Sequence, residues 1–134
     1  MQRPRASLTS RDMSHPHKIF IVDDNRDAAD TLGMFFENHG FEVRVAYDGD
    51  DAIREVDEFH PEVALLDIGL PGKDGYQIAR HIRAGDDADI MIIAVSGYAA
   101  PEDVARAKDA GFDLHFGKPA NPTALLSKIE TRLG

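Results

Sequence analysis

The sequence predicts an α/β fold, a doubly wound parallel sheet of five strands with helices on both faces. Three observations predict it. Five short apolar runs alternate with five segments of helical periodicity, and short loops join them, a pattern that gives βαβ units. The middle run, Val63-Ala64-Leu65-Leu66, is apolar on both faces, as a strand covered from both sides must be. At 134 residues the chain can bury one such core, and it shows no internal repeat.

Met1 to Pro16 holds two prolines, three arginines and little apolar periodicity, so 1–16 is expected to be a flexible extension of a domain spanning 17–134. Lys18-Ile19-Phe20-Ile21-Val22 is the first strand, and it ends abruptly in Asp23-Asp24-Asn25. Asn25 is placed to cap a helix of roughly Arg26 to His39, with Ala28, Leu32, Phe35 and Phe36 on the inner face and Gly40 as the stop. Phe41 to Ala46 alternates apolar with polar through Val45, as an outer strand does. After the turn Tyr47-Asp48-Gly49, a helix over Asp50–Phe59 turns Ala52, Ile53, Val56 and Phe59 inward, and Pro61 stops it. The central strand runs into Asp67 and the turn Ile68-Gly69-Leu70-Pro71-Gly72. Asp74-Gly75 starts a third helix to Ala84, with Ile78, Ala79 and Ile82 inward. Asp89 to Val95 contains the fourth strand, ending at Ser96-Gly97. Pro101 suits the first position of a helix to Ala110, closed by Gly111. Phe112 to Phe116 is the last strand, and Gly117-Lys118-Pro119 follows it. Asn121 and Pro122 open the final helix, with Leu125, Leu126, Ile129 and Leu133 facing in.

Composition removes several classes of function. There are no cysteines, so neither a disulfide framework nor a thiolate metal site exists. No apolar stretch is long enough to span a bilayer and none resembles a secretory signal, so the cytoplasm is the expected compartment. The net charge is −9; Arg3, Arg5 and Arg11 against Asp12 give residues 1–14 a charge of +2 and leave −11 on the rest. Such an acidic body repels phosphate backbones and argues against direct binding to nucleic acid.

Four strand ends carry polar groups: Asp23 and Asp24, Asp67, Ser96, and Lys118. A parallel sheet brings all of these to one edge, where open α/β sheets bind ligands. Three carboxylates there would repel one another and raise their own pKa values unless a hard cation such as Mg²⁺ joined them. An Asp carboxylate so placed can act as a nucleophile toward phosphorus, with Lys118 and the Ser96 hydroxyl or backbone N–H groups taking phosphoryl oxygens. The Gly69 carbonyl could serve the metal, and Gly97 keeps the approach open. Each residue alone has an ordinary reading: Asp pairs cap helices, Ser-Gly makes turns and a lysine is solvated. Their order, each at a strand end, is what points to one site. Lys118-Pro119 at such a place invites a cis bond.

These motifs resemble a known family. Val22-Asp23-Asp24-Asn25, Leu66-Asp67-Ile68-Gly69-Leu70-Pro71-Gly72-Lys73-Asp74-Gly75, Ser96-Gly97-Tyr98 and Lys118-Pro119 are similar to the receiver domain of bacterial two-component response regulators. The resemblance runs from Lys18 to the C-terminus. It implies a flavodoxin-like sheet in the order 2-1-3-4-5. It implies phosphorylation of Asp67 by the phosphohistidine of a sensor histidine kinase or histidine phosphotransfer protein. It gives Asp24, Asp67, the Gly69 carbonyl and, through water, Asp23 to Mg²⁺, with Mn²⁺ as a substitute. Ser96 and Lys118 would hold the phosphoryl group, and Tyr98 would partly cover it. Ser96 and an aromatic residue three before the lysine would form the switch. That second position is His115, where Tyr or Phe is commoner. The switch would shift a surface of helix four, strand five and helix five, where Arg106, Lys108, Lys128 and Arg132 could meet a downstream effector or a second copy. The chain is then expected to be a monomer or a phosphorylation-dependent homodimer. Gly111 to His115 leans toward receivers of hybrid kinases, and the initiating Met toward a stand-alone regulator.

Three other readings compete. A pseudo-receiver would only bind partners, but the acidic, Ser and Lys set is complete. A small Mg²⁺-dependent phosphohydrolase of haloacid-dehalogenase type would want Asp where Gly69 stands. A flavin-binding electron carrier would want a Ser/Thr-rich loop after the first strand, where this chain places two aspartates.

Overall fold

A computed structural model describes residues 16–86, 89–97 and 100–134; the expected extension, apart from Pro16, and Tyr98 lie outside them. Strand and helix alternate in order: β1 (Lys18–Val22), α1 (Arg26–Asn38), β2 (Glu42–Ala46), α2 (Gly49–Phe59), β3 (Val63–Asp67), α3 (Gly75–Ala84), β4 (Met91–Ser96), α4 (Pro101–Ala110), β5 (Leu114–Gly117) and α5 (Pro122–Leu133). All strand pairs are parallel, in the order β2-β1-β3-β4-β5, the flavodoxin-like arrangement the resemblance implies. The chain leaves β1 for β2 in one direction, then crosses back past β1 to build β3, β4 and β5 in the other. The switch point therefore falls between the carboxyl ends of β1 and β3, where Asp23 and Asp67 stand.

The sheet separates two apolar layers. Phe20, Val22, Ala64, Leu66, Ile92 and Ala94 share one cluster with residues of α2, α3 and α4. Ile19, Ile21, Val63, Leu65, Met91 and Ile93 share the other with α1 and α5. All five residues of β3 are buried, as its unbroken apolar run requires. Each fully buried Ile or Leu contributes about 1.5–3 kcal/mol, so the strands that carry the site are the best-anchored parts of the molecule.

Most helices start on a side-chain cap. The side chains of Asn25, Asp48, Asp74 and Asn121 accept from the backbone N–H groups of Ala28, Asp51, Gln77 and Thr123/Ala124, satisfying donors that a helix start leaves unpaired. Gln77 returns the bond to the Asp74 N–H and completes a capping box.

Two expectations are corrected. Ala28 is exposed, and Ala29, Gly33 and Phe36 are the buried residues of α1, with Leu32 and Phe35 half-buried. A Cβ at Gly33 would lie 3.4 Å from both Val43 and Val45, so the helix comes closest to β2 at a residue that adds no hydrophobic signal. The last strand begins at Leu114 rather than Phe112. Phe112 packs instead into the core beside Tyr76, its N–H bonded to the Ala107 carbonyl. Of the four cations expected at the α4–β5–α5 surface, the exposed Arg106 and Arg132 also make contacts within the domain. Arg106 stacks 4.2 Å from the Tyr76 ring centre on α3, and Arg132 donates to the Asp89 carbonyl at 3.0 Å.

Candidate functional site

The site begins with two strands that end on aspartate at neighbouring positions. The Asp23 N–H continues the ladder to Ala46 O at 3.2 Å, and its Oδ1 accepts from the Asn25 N–H at 3.0 Å. That local turn leads straight into α1. Asp67 is the last residue of β3, and its Oδ1 accepts from the Gly69 N–H at 3.2 Å. The loop beyond it folds tightly, because Ile68 O accepts from both the Leu70 and Gly75 N–H groups. Glycine is required at position 75: a Cβ there would stand 2.6 Å from Asp67 O and 2.8 Å from Ile68 Cα. Gly49 has the same role from the side of α2, where a Cβ would fall 1.7 Å from Lys73 O.

Lys118 arrives from β5. Its N–H bonds to Ser96 O at 2.9 Å, and the Lys118-Pro119 bond is cis, as the pair invites. The Nζ lies 3.0 Å from both Asp23 Oδ2 and Asp67 Oδ2. Asp23 and Asp67 are buried, Asp24 is exposed, and one carboxylate oxygen from each of the three lies within 4.8 Å of the others. Among the described residues this is the one group of its kind. Three hard oxygen donors open to solvent on one side fit a Mg²⁺-type cation that keeps several waters. A softer, imidazole-seeking metal would find no nitrogen ligand here.

The electrostatics follow from the crowding. Burial pushes the Asp67 carboxyl above its ordinary value, the Asp23 charge adds to this, and Lys118 and the Gly69 N–H act against it. Burial pulls the Lys118 ammonium down, but its hydrogen bonds to Asp23 and Asp67 outweigh that, and the net shift is upward. One ammonium shared by two carboxylates leaves a site with a surplus of negative charge.

The structure thus brings Asp23, Asp24, Asp67 and Lys118 together, with Ser96 fully buried, paired with Gly117 in the sheet and its carbonyl accepting from the Lys118 N–H. Gly69 joins the group through its N–H. A Cβ at Gly97 would meet nothing within 4 Å, so the approach there is open as expected. His115 stands apart, opposite Ala94 on β5, and its Nε2 is buried without a hydrogen-bond partner. Sequence reasoning passed over Asp113 and Arg83. Asp113 Oδ2 accepts from the Ile92 N–H at 2.8 Å and from Arg83 Nη2 at 2.9 Å, which fixes the start of β5 and hence the strand that delivers Lys118. Arg83 also donates to Gly111 O at 3.0 Å and Ile90 O at 2.6 Å. An Asp two residues after a glycine stop was the only visible signal.

The response regulator receiver domain model matches residues 19–130. The chain belongs to the response regulator receiver family. This receiver is similar to the signal receiver domain of a DNA-binding response regulator (merR) from Colwellia psychrerythraea 34H, at 32% identity and a TM-score of 0.81, covering 87% of this chain and 98% of that one. It is similar to a CheY-like receiver domain protein from Methanospirillum hungatei JF-1, at 30% identity and TM-score 0.83, covering 89% and 94% of the two chains. It also resembles the BeF₃-activated DrrB receiver domain, at 28% identity and TM-score 0.80, covering 89% and 98%. As a receiver, it is a phosphoacceptor signalling domain of the two-component type. Among its described residues no helix is long and apolar enough to cross a membrane.

Proposed function

We propose that Asp67 accepts a phosphoryl group from the phosphohistidine of a sensor histidine kinase or histidine phosphotransfer protein in the cytoplasm. The observation that carries this reading is the position of Lys118 Nζ, 3.0 Å from both Asp67 and Asp23 at the switch point of the sheet. An Asp67 carboxylate oxygen attacks phosphorus, the phosphorus–nitrogen bond of the donor histidine breaks, and its electron pair stays on the imidazole. Asp23, Asp24, Asp67 and the Gly69 carbonyl would hold Mg²⁺, or Mn²⁺ in its place. Bound there, the cation would offset the surplus of negative charge and stabilise charge on the phosphoryl oxygens. Lys118 moves its ion pair from the carboxylates to the incoming phosphoryl group. The Ser96 hydroxyl donates to a second oxygen. His115 then changes rotamer, its unpartnered Nε2 leaving no hydrogen bond to break, and the α4–β5–α5 surface shifts population toward a form that binds an effector protein or a second copy. Residues 17–134 form the working domain, and hydrolysis of the Asp67 phosphate by the same site resets it.

The test is intact-mass measurement after incubation with Mg²⁺ and acetyl phosphate, with Asp67→Asn alongside. One added phosphoryl group on the wild type, absent in the variant and without Mg²⁺, supports the reading. No adduct, with a control receiver labelled and no binding of beryllium fluoride, would favour a domain that only binds partners.

A further inference from the structure

We propose a second cation site at the opposite edge of the sheet, one that takes a borderline transition ion such as Zn²⁺. It lies between the last turns of α2 and α3, in a cleft of about 400 Å³ lined by Asp57, His60, His81 and Asp86 above Val56 and Ile90. His81 Nε2 lies 3.0 Å from both Asp57 Oδ1 and Oδ2. Zinc bonds of about 2.0–2.1 Å to nitrogen and oxygen put tetrahedral ligands about 3.3 Å apart. The His81–Asp57 pair thus already holds nearly the edge length of a tetrahedral site while it spans two helices.

The third donor comes from the same cleft. His60 follows Asp57 by three residues, just past the end of α2, and both line the cleft. It ends the helix with φ 53°, a left-handed position that glycine would fill without strain, and instead carries an imidazole into the lining of the cleft. As the side chains stand, His81 and Asp57 touch each other and the third donor is further away. The ion replaces their direct contact, His60 rotates onto it, and Asp86 or water completes the shell. Two imidazoles with a carboxylate select Zn²⁺, Ni²⁺ or Cu²⁺ over Mg²⁺ and Ca²⁺, which want oxygen alone. This donor set therefore differs in kind from the carboxylate trio at Asp67. Once filled, the site pins α2 to α3 and stabilises the fold by mass action.

The full chain would be titrated with Zn²⁺ by calorimetry in excess Mg²⁺, with imidazole NMR signals followed in parallel. Expected is one equivalent bound, with His60 and His81 resonances shifting together. H60Q and H81Q should each weaken binding by more than the roughly 10- to 100-fold that loss of an outer-shell partner costs, with far-UV circular dichroism unchanged, while H17Q and D67N bind as the wild type does. Binding that survives both histidine changes overturns the proposal. So does binding lost in H81Q but retained in H60Q, or the absence of heat and shifts at millimolar Zn²⁺. The NMR readout on the wild type stands even where a variant fails to fold.

Discussion

Lys118 is one ammonium serving two buried carboxylates, and that ratio sets how the site answers to pH. The Asp67 carboxyl is raised above its ordinary value of 3.8, with burial as the leading cause and the Asp23 charge adding to it. A raised folded-state value means the folded protein binds the proton more tightly than the unfolded chain does. The associated stability is then complete below pH 3.8 and is lost as the pH rises through the folded value. At neutral pH the ionised Asp67 therefore weakens the fold. Asp67→Asn should raise the melting temperature at pH 7, and the gain over wild type should shrink as the pH falls toward 4. Thermal denaturation across pH 3.5–7.5 checks this, and an equal or lower melting temperature for the variant at pH 7 refutes it. Millimolar Mg²⁺ should stabilise the wild type and close the gap, because it relieves the same repulsion.

The five helices are not held equally. α4 has only Ala107 and Ala110 buried, its Val104 is 42% exposed, and its N-cap, Ala100, makes no side-chain hydrogen bond. The other four are capped by Asn or Asp side chains. The element proposed to move is thus the least anchored, as a switching segment must be. Ala100→Ser should stabilise by about 0.5–2 kcal/mol and slow hydrogen exchange in α4 more than in α1 or α5; uniform slowing would deny α4 this place. Gly75→Ala tests the opposite case, a helix start with no room. Its Cβ meets Asp67 O at 2.6 Å, so a loss of about 1–3 kcal/mol in chemical denaturation should accompany slower labelling of Asp67. Element order, the caps Asn25 and Asn121, the helix start at Asp74 and the acid–lysine cluster were legible because each has a local signature: an apolar run, an Asn or Asp before a helix, an aspartate at a strand end; Asp48 was placed in a turn, and it is the cap of α2. What was not legible depended on partners distant in sequence. The inward turn of Gly33 rather than Ala28 follows from Val43 and Val45, and the late start of β5 follows from the bonds of Asp113 to Ile92 and Arg83.

At the scale of the whole molecule the charge is lopsided as well as large. Asp67 ends β3, and Asp23, Asp24, Asp27, Asp48, Asp50, Asp51 and Asp74 lie in the first three strand-to-helix loops or the helix turns next to them, on the edge that carries the site. With a net charge of −11 on the residues after position 14, this makes that edge a funnel for cations. Asp27 and Asp50 are exposed, whereas the carboxylates of Asp23 and Asp67 accept from the Asn25 and Gly69 N–H groups, so Asp27 and Asp50 are expected to act on cation affinity through space. A unit charge on the order of 10 Å from a divalent ion in water contributes about 0.8 kcal/mol, roughly a fourfold change in affinity at low ionic strength. At about 0.15 M salt the screening length falls to about 8 Å and most of that is lost. Asp27→Asn and Asp50→Asn should therefore each weaken Mg²⁺ binding severalfold in dilute buffer and hardly at all in physiological salt. Asp24→Asn should weaken it in both, because a ligand's contribution is not screened away. Titration of Mg²⁺ at two salt concentrations separates the cases. A salt-independent loss in Asp27→Asn or Asp50→Asn would mean that these residues hold the site's geometry rather than its field.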